Sequence, residues 1–464
     1  MNRINVKEIL KAVEGTLLCG DESEYVTAVK HDSRECAAGD LFVAIEGENH
    51  DGHQYIPQVM EKGCRALLVS HGGQWLESAE KSGAAVIMVE DTVYSLGELA
   101  KFYLSTLSVK KIAVTGSVGK TSVRDIIYYV LREKYNCGRN VKNFNNLIGL
   151  PLSIFNFDKD MEAVVLEMGM SEFGEIDRLA EIVKPNIAVI TNIGVSHIES
   201  LGSREGIFRA KMEVSKHITP YKGQEGTLVF VNDGEYLTRE RTRGNYRQIS
   251  IGENGKSDYI ISDVDDFGLD GIKFSLEHFH RRREMRLPVP GRHSAVNGAI
   301  AAAVGELSGM SGEEIQRGLE NVVLTGSRLK QLKNDRVMVI DDTYNASPDS
   351  MKSALKVLES SGGKARKIAV LGDMYELGDE SGRQHFAVGV FARALNIDAL
   401  IAIGKEARGI YEGASGSSLK TVYYEKKEDF YKDIDDFIKD GDIILVKGSR
   451  GMKMEQVVEN ILKH

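Results

Sequence analysis

A lysine and a threonine at the end of a glycine loop are the residues of this chain whose spacing most directly suggests chemistry. The stretch Thr115-Gly116-Ser117-Val118-Gly119-Lys120-Thr121-Ser122 follows the apolar run Ile112-Ala113-Val114. After it, Val123, Ile126, Ile127, Val130 and Leu131 recur at helical spacing. A strand, a loop and a helix in that order suit a polyphosphate. Glycines let the backbone approach, N–H groups and the helix N-terminus face the anion, Lys120 brings a positive charge, and the Thr121 hydroxyl can reach a magnesium ion. The loop is shorter than the common phosphate-binding form, since Val114 stands where that form has its first glycine. The bland alternative is a strand–turn–helix with a surface lysine.

Further candidates follow this loop. Ala163-Val164-Val165-Leu166 runs into Glu167, a carboxylate at the end of a buried strand, where it can hold magnesium beside the phosphates or simply be an exposed acid. Asn140 to Pro151 is dense in asparagine, and Asn145 and Asn146 offer amides to a ligand or form Asx turns. His197 follows the strand Ile187–Thr191 and is either a metal ligand or a packed or solvated ring. Lys211 sits on an amphipathic helix, and the pattern alone assigns it to a solvated face. Asp32-Ser33-Arg34 and the loop Glu46 to His53, with Gly47, Asp51 and His53, are polar segments after apolar runs. That is where α/β sheets place ligand contacts, and also where ordinary turns lie.

These residues need a framework, and the periodicities supply an α/β one in three units. Residues 1–108 carry strand-like runs at Tyr25–Val29, Leu41–Ile45, Ala66–Val69 and Ala85–Val89, then a helix over Val93–Leu107. Residues 109–326 hold the phosphate loop in a parallel sheet. They continue through short strands over 225–290, a solvated basic hairpin at His278–Arg283, and an alanine-rich helix with His293 and Asn297 one turn apart. Residues 327–464 form a Rossmann-like unit. Its strands are Val337–Ile340, Lys367–Leu371, Ala399–Ile403, Val422–Tyr424 and Ile443–Val446. Its helices are Ser350–Ser360, Ser381–Leu395, Glu428–Lys439 and Lys453–Leu462. Its polar residues cluster in loops after strands: Asp341 to Asp349, Gly372 to Gly378, and Lys447 to Gly451.

The chain of 464 residues has net charge −9, which argues against a general nucleic-acid footprint. Cys19, Cys36, Cys64 and Cys137 have neither zinc-site nor disulfide-framework spacing. The first seven residues do not read as a signal peptide, and no run is apolar enough to span a bilayer. The expectation is a cytoplasmic monomer without nucleic-acid or membrane partners.

Taken together, these stretches resemble the Mur ligases, the ATP-dependent amide-forming enzymes of peptidoglycan synthesis, over essentially the whole chain. The shared features are Thr115–Ser122, Asn145-Asn146, Glu167, His197, Lys211, His293 with Asn297, and Arg328. Asp342-Thr343-Tyr344-Asn345-Ala346-Ser347-Pro348, Gly372-Asp373-Met374 with Glu376-Leu377-Gly378, and Lys447-Gly448-Ser449-Arg450 resemble the branch that adds D-alanyl-D-alanine to a UDP-N-acetylmuramoyl-tripeptide. The third-residue ligases, which add lysine or diaminopimelate, are the alternative. They tend to carry Asp-Tyr-Ala-His and Asp-Asn-Pro-Arg loops, and neither occurs here. Many members have a proline ahead of Gly326, where this chain has Leu324-Thr325.

The resemblance implies that ATP phosphorylates the tripeptide carboxylate and that the dipeptide amine attacks the acyl phosphate. It implies catalytic roles for Lys120, Glu167, His197 and Lys211. One magnesium would rest on Thr121 and Glu167, and a second on His197 and a carbamylated Lys211. ATP contacts would come from Thr115–Ser122, Asn297, Arg328, Asp342, Tyr344 and Asn345. Substrate contacts would come from Asp32, Ser33, Arg34, Gly47, Asp51, His53, Asn145, Asn146, Ser347 and Asp349.

Overall fold

Short apolar runs bounded by glycine and polar turns become parallel strands in three sheets, with helices covering their faces. The structure, a computed structural model, describes residues 1–464 apart from Asn49, Lys142 and Ser417. Asn49 and Lys142 belong to two of the loops singled out above and so lie outside the described residues.

The first sheet has five strands in the order Thr16–Cys19, Ala85–Met88, Ala66–Val69, Asp40–Val43 and Ala28–Lys30. All neighbours are parallel except the first pair. The run expected as one strand over Tyr25–Val29 is divided. Tyr25–Val26 pairs with Ile4–Asn5 in a separate ribbon, and the chain re-enters the main sheet at Ala28. The final helix spans Thr92–Ser105, started by the Asp91 carboxylate accepting from the Val93 and Tyr94 amides.

The second sheet has nine strands. Cys137–Arg139, Ala163–Glu167, Lys110–Thr115, Ile187–Ile190, Thr227–Val231, Arg247–Gly252 and Tyr259–Asp266 run parallel in that order. An antiparallel hairpin, Ile272–His278 with Arg281–Leu287, extends the edge. The strand before the phosphate loop is flanked by the Glu167 strand on one side and Ile187–Ile190 on the other. Three candidate loops therefore leave neighbouring strands at their carboxyl ends, where α/β sheets bind ligands. One apolar cluster runs from Ile4 and Leu41 through Leu99 and Tyr103 to Leu166, Leu179 and Leu237, so the first two sheets share a core. Ion pairs reinforce the seam: Arg178–Glu98 at 2.6 Å and Lys101–Glu181 at 2.6 Å.

The third sheet runs Lys330–Lys333, Met338–Asp342, Ile443–Lys447, Lys367–Gly372, Ala399–Ile403 and Lys420–Tyr424, parallel except for its first strand. It has apolar clusters of its own on both faces. The helix expected over Glu428–Lys439 is two shorter ones, Lys427–Lys432 and Ile434–Phe437. The polar start of the chain hid the helix Val6–Val13, and the small residues of Arg408–Ala414 hid that one. No helix among the described residues is long and apolar enough to cross a membrane.

Candidate active site

The glycine loop closes tightly against the neighbouring strand end. Gly116 has φ +148°, and a Cβ there would fall 1.9 Å from Thr191 Oγ1, so no side chain fits. Ser117 N donates to Asn192 O at 3.1 Å and Val118 N to Asn192 Oδ1 at 2.9 Å, while Thr191 Oγ1 donates to Val118 O at 2.7 Å. Gly119, at φ +83°, leads into the helix Lys120–Leu131. The Lys120 ammonium donates to Gly116 O at 2.9 Å, folded onto its own loop, and burial lowers its pKa. The Thr115 hydroxyl, buried at the foot of the loop, has no partner among the described residues.

Beside the loop, Glu167 is 2 % exposed and held from every side. Its Oε2 accepts from Thr121 Oγ1 at 2.7 Å and from Arg124 Nη1 at 3.3 Å, and its Oε1 from Asn145 Nδ2 at 2.8 Å. The buried Asn140 side chain brackets its backbone, accepting from Glu167 N at 3.0 Å and donating to Glu167 O at 3.1 Å. Arg124 is wholly buried against Asp125, at 2.6 Å. Asp125 also accepts from Arg139 at 2.8 Å and from Thr325 N and Oγ1 at 2.8 and 2.7 Å. This network ties the loop helix to the segment leading into the third sheet. Sequence reasoning missed it. The available signal was an Arg-Asp pair inside an otherwise apolar helix.

The third unit closes the cleft. Arg328 Nη2 donates to Thr121 Oγ1 at 3.0 Å, and its guanidinium lies 3.7 Å from the centre of the Tyr344 ring. Lys447 is buried against Asp342 Oδ2 at 2.6 Å and donates to Asn345 O at 2.8 Å. Burial raises the Asp342 pKa, and Lys447 opposes that rise. The Asp349 carboxylate comes so near Gly194 that a Cβ there would lie 2.9 Å away. His197 Nδ1 is 3.0 Å from Glu376 Oε2, both residues having left-handed backbones, and this contact lowers the Glu376 pKa. His293 faces the cleft from the start of the helix Ser294–Leu307. Desolvation within the cleft, with the charges of Lys447 and Lys356, lowers its pKa.

These residues line one cleft of about 620 Å³, which gathers Ser117–Ser122, Asn145, Asn146, Glu167, His197, Asn297, Arg328, Asp342, Tyr344, Asn345 and Ser347. Other candidates lie elsewhere or are engaged differently. Lys211, far from being solvated, is 1 % exposed in the helix Arg204–Met212, and its ammonium has no hydrogen bond or ion pair among the described residues. Burial, reinforced by the Lys120 charge, pulls its pKa well down. Asn146 Oδ1 accepts from Gly149 N at 2.8 Å and so starts a helix, the Asx alternative. Among the described residues, none that lines the cleft comes from 1–108.

In that first unit, Asp32 is bound by Arg34 through Nε and Nη2, which lowers its pKa. The Ser33 hydroxyl reaches Gln58 at 3.3 Å. Asp51 accepts from His53 Nδ1 at 2.6 Å, and His53 Nε2 accepts from Ser70 N at 3.0 Å. His53 is thus a buried brace with both ring nitrogens engaged. Gly47 N donates to His50 O at 2.9 Å, closing the same loop. The basic hairpin is only half solvated, since His278 stacks on Tyr259 at 3.8 Å and meets Glu306 at 2.9 Å.

Three family descriptions match the chain in order: the Mur ligase family catalytic domain over residues 25–104, the Mur ligase middle domain over 114–305, and the Mur ligase glutamate ligase domain over 327–450. Along 100% of its length the chain is 37% identical to the UDP-N-acetylmuramoyl-tripeptide–D-alanyl-D-alanine ligase of Bacillus subtilis, covering 99% of that protein. Its fold matches crystal structure I of MurF from Acinetobacter baumannii with a TM-score of 0.91, at 29% identity and 100% coverage of both chains. It also matches a MurF ligase from Thermotoga maritima in complex with ADP, with a TM-score of 0.82 at 29% identity, covering 94% of this chain and 97% of that one.

Proposed function

The chain belongs to the Mur ligase family, and we propose that it joins D-alanyl-D-alanine to UDP-N-acetylmuramoyl-tripeptide, converting ATP to ADP and phosphate. The observation that carries this reading is the single cleft. It brings the phosphate loop and Glu167 together with the Tyr344-Asn345-Ala346 loop of the third unit, and the full-length relatives share the architecture.

The division of labour follows the sheets. Residues 1–108 hold the UDP end of the substrate through Asp32, Ser33, Arg34 and the Gly47–His53 loop. Residues 109–326 hold the phosphates, and 327–464 complete the nucleotide site and receive the acceptor. The barrier to phosphoryl transfer is mostly positioning and charge. Lys120 leaves its loop carbonyls for the β- and γ-phosphates, and the loop amides face the same anion. Asn297, Arg328, Asp342, Tyr344 and Asn345 serve the nucleoside end, with Lys447 holding Asp342 in place.

A magnesium ion fits the donor set, because the Thr121 hydroxyl and Glu167 carboxylate are hard oxygen donors already 2.7 Å apart. Bound there, it supplies charge neutralisation on the transferring phosphate. Asn140 fixes the Glu167 backbone, and Asn145 and Arg124 hold its carboxylate. For a second ion, His197 and Lys211 are the donors. Burial pulls the Lys211 pKa well down, which favours the uncharged amine that combines with carbon dioxide, and the resulting carbamate would provide an oxygen ligand. The tripeptide carboxylate attacks the γ-phosphate, ADP leaves, and the dipeptide amine displaces phosphate from the acyl carbon.

The related ligases that add lysine or diaminopimelate are the competing reading. A ligation assay on UDP-N-acetylmuramoyl-tripeptide with the acceptor varied tests it. Turnover with D-alanyl-D-alanine alone supports the proposal. Turnover with a free amino acid on the shorter dipeptide precursor overturns it.

A further inference from the structure

Among the described residues, four lysine and arginine side chains line the cleft: Lys120, Arg328, Lys447 and Arg450. Three are committed. Lys120 folds onto the phosphate loop, Arg328 bridges Thr121, the Thr325 carbonyl and the Tyr344 ring, and Lys447 is buried on Asp342. The Arg450 side chain is 65 % exposed. Its one polar side-chain contact among the described residues is Nη1 to Glu455 Oε1 at 3.2 Å, which leaves the rest of the fork open to solvent at the cleft wall.

Its backbone, by contrast, is fixed. Arg450 begins the turn Arg450–Met452 just after the strand Ile443–Lys447. That strand lies between Met338–Asp342 and Lys367–Gly372, so the turn sits between the two other ligand loops of the third unit. Ser449 N donates to Asp373 O at 2.9 Å, and Tyr375 N donates to Ser449 Oγ at 2.9 Å. The Tyr375 ring lies against Gly451, where a Cβ would meet it at 2.8 Å. A rigid turn carrying an open guanidinium at the cleft wall is the form of a carboxylate receptor, because the planar fork matches a carboxylate in two parallel hydrogen bonds.

We propose that Arg450 receives the terminal carboxylate of the acceptor dipeptide and so selects a dipeptide whose amine points at the acyl phosphate. The inference rests on the dipeptide-ligase reading and deepens it. A free amino acid carries its carboxylate one residue nearer its amine, about 3.3–3.6 Å of chain, and would not span from this arginine to the acyl phosphate.

The test is a crossed kinetic experiment with the full-length enzyme. Unmodified protein, Arg450→Ala and Arg450→Lys are each given D-alanyl-D-alanine and its C-terminal amide. With the unmodified enzyme the amide should lose about ten- to hundredfold in kcat/KM, the range for one charge-assisted hydrogen-bonded contact. Arg450→Ala should lose a similar factor with the acid and little more with the amide. Arg450→Lys should recover part of the loss, and KM for ATP and tripeptide should hold throughout. An unmodified enzyme that uses acid and amide equally overturns the role of Arg450, and this arm needs no variant. Equal discrimination by Arg450→Ala and the unmodified enzyme overturns it too, as does a loss confined to the tripeptide KM. Absence of any turnover with the dipeptide removes the underlying reading instead.

Discussion

Replacing Asp125 with asparagine probes the buried joint behind the phosphate loop. Asp125 has no exposed surface. It sits 2.6 Å from the wholly buried Arg124 and 2.8 Å from Arg139, and it accepts two hydrogen bonds from Thr325. The asparagine amide would keep one acceptor but turn an N–H toward donors. It would also leave the Arg124 charge leaning on the Glu167 carboxylate, at 3.3 Å. Breaking a buried pair on one side costs about 3–5 kcal/mol. That is a large part of the roughly 5–15 kcal/mol that holds an ordinary domain. At about 2–4 °C per kcal/mol for a unit of this size, the calorimetric transition should fall by roughly 6–20 °C. Arg124 should also draw Glu167 away from Thr121, so the magnesium concentration needed for half-maximal rate should rise. Arg139→Ala, which removes the more exposed partner, is the milder control. An Asp125→Asn protein with an unchanged melting transition and magnesium dependence would refute the joint.

Two further substitutions address the chemistry. Lys120→Ala should lower kcat by about 10²–10³, the usual loss for a positioned donor to developing charge, with KM for the dipeptide unchanged in a phosphate-release assay; full turnover would remove the loop from the mechanism. Burial pulls the Lys211 pKa well down, which favours the uncharged amine that takes up carbon dioxide. Native mass spectrometry in bicarbonate should then show a gain of one carbon dioxide that acidification reverses and Lys211→Gln lacks, and its absence in saturated enzyme would exclude the carbamate.

The three parallel sheets were legible because their strands are short continuous apolar runs ending in polar loops. Glu167 was legible for the same reason, since a carboxylate at the end of Ala163–Leu166 stands out. The Tyr25–Val29 run was misjudged because a division at Thr27 depends on pairing with the distant Ile4–Asn5, which no local pattern encodes. Lys211 shows the limit of periodicity. Its helix has charged neighbours, Arg209 and Glu205, and only tertiary packing decides which of them faces inward. The Asp125–Thr325 link spans 200 positions and left no trace in either segment. His53 and Asn146 also brace their own loops, a packing role that residue type alone did not reveal.

The ligation itself, run with heavy oxygen in the terminal carboxylate of the UDP-linked tripeptide, tests the proposed reaction most directly. In the presence of ATP, magnesium and D-alanyl-D-alanine, one labelled oxygen should pass into the released phosphate while the product gains the mass of one dipeptide less water. Unlabelled phosphate, or a product extended by a single amino acid, would contradict it.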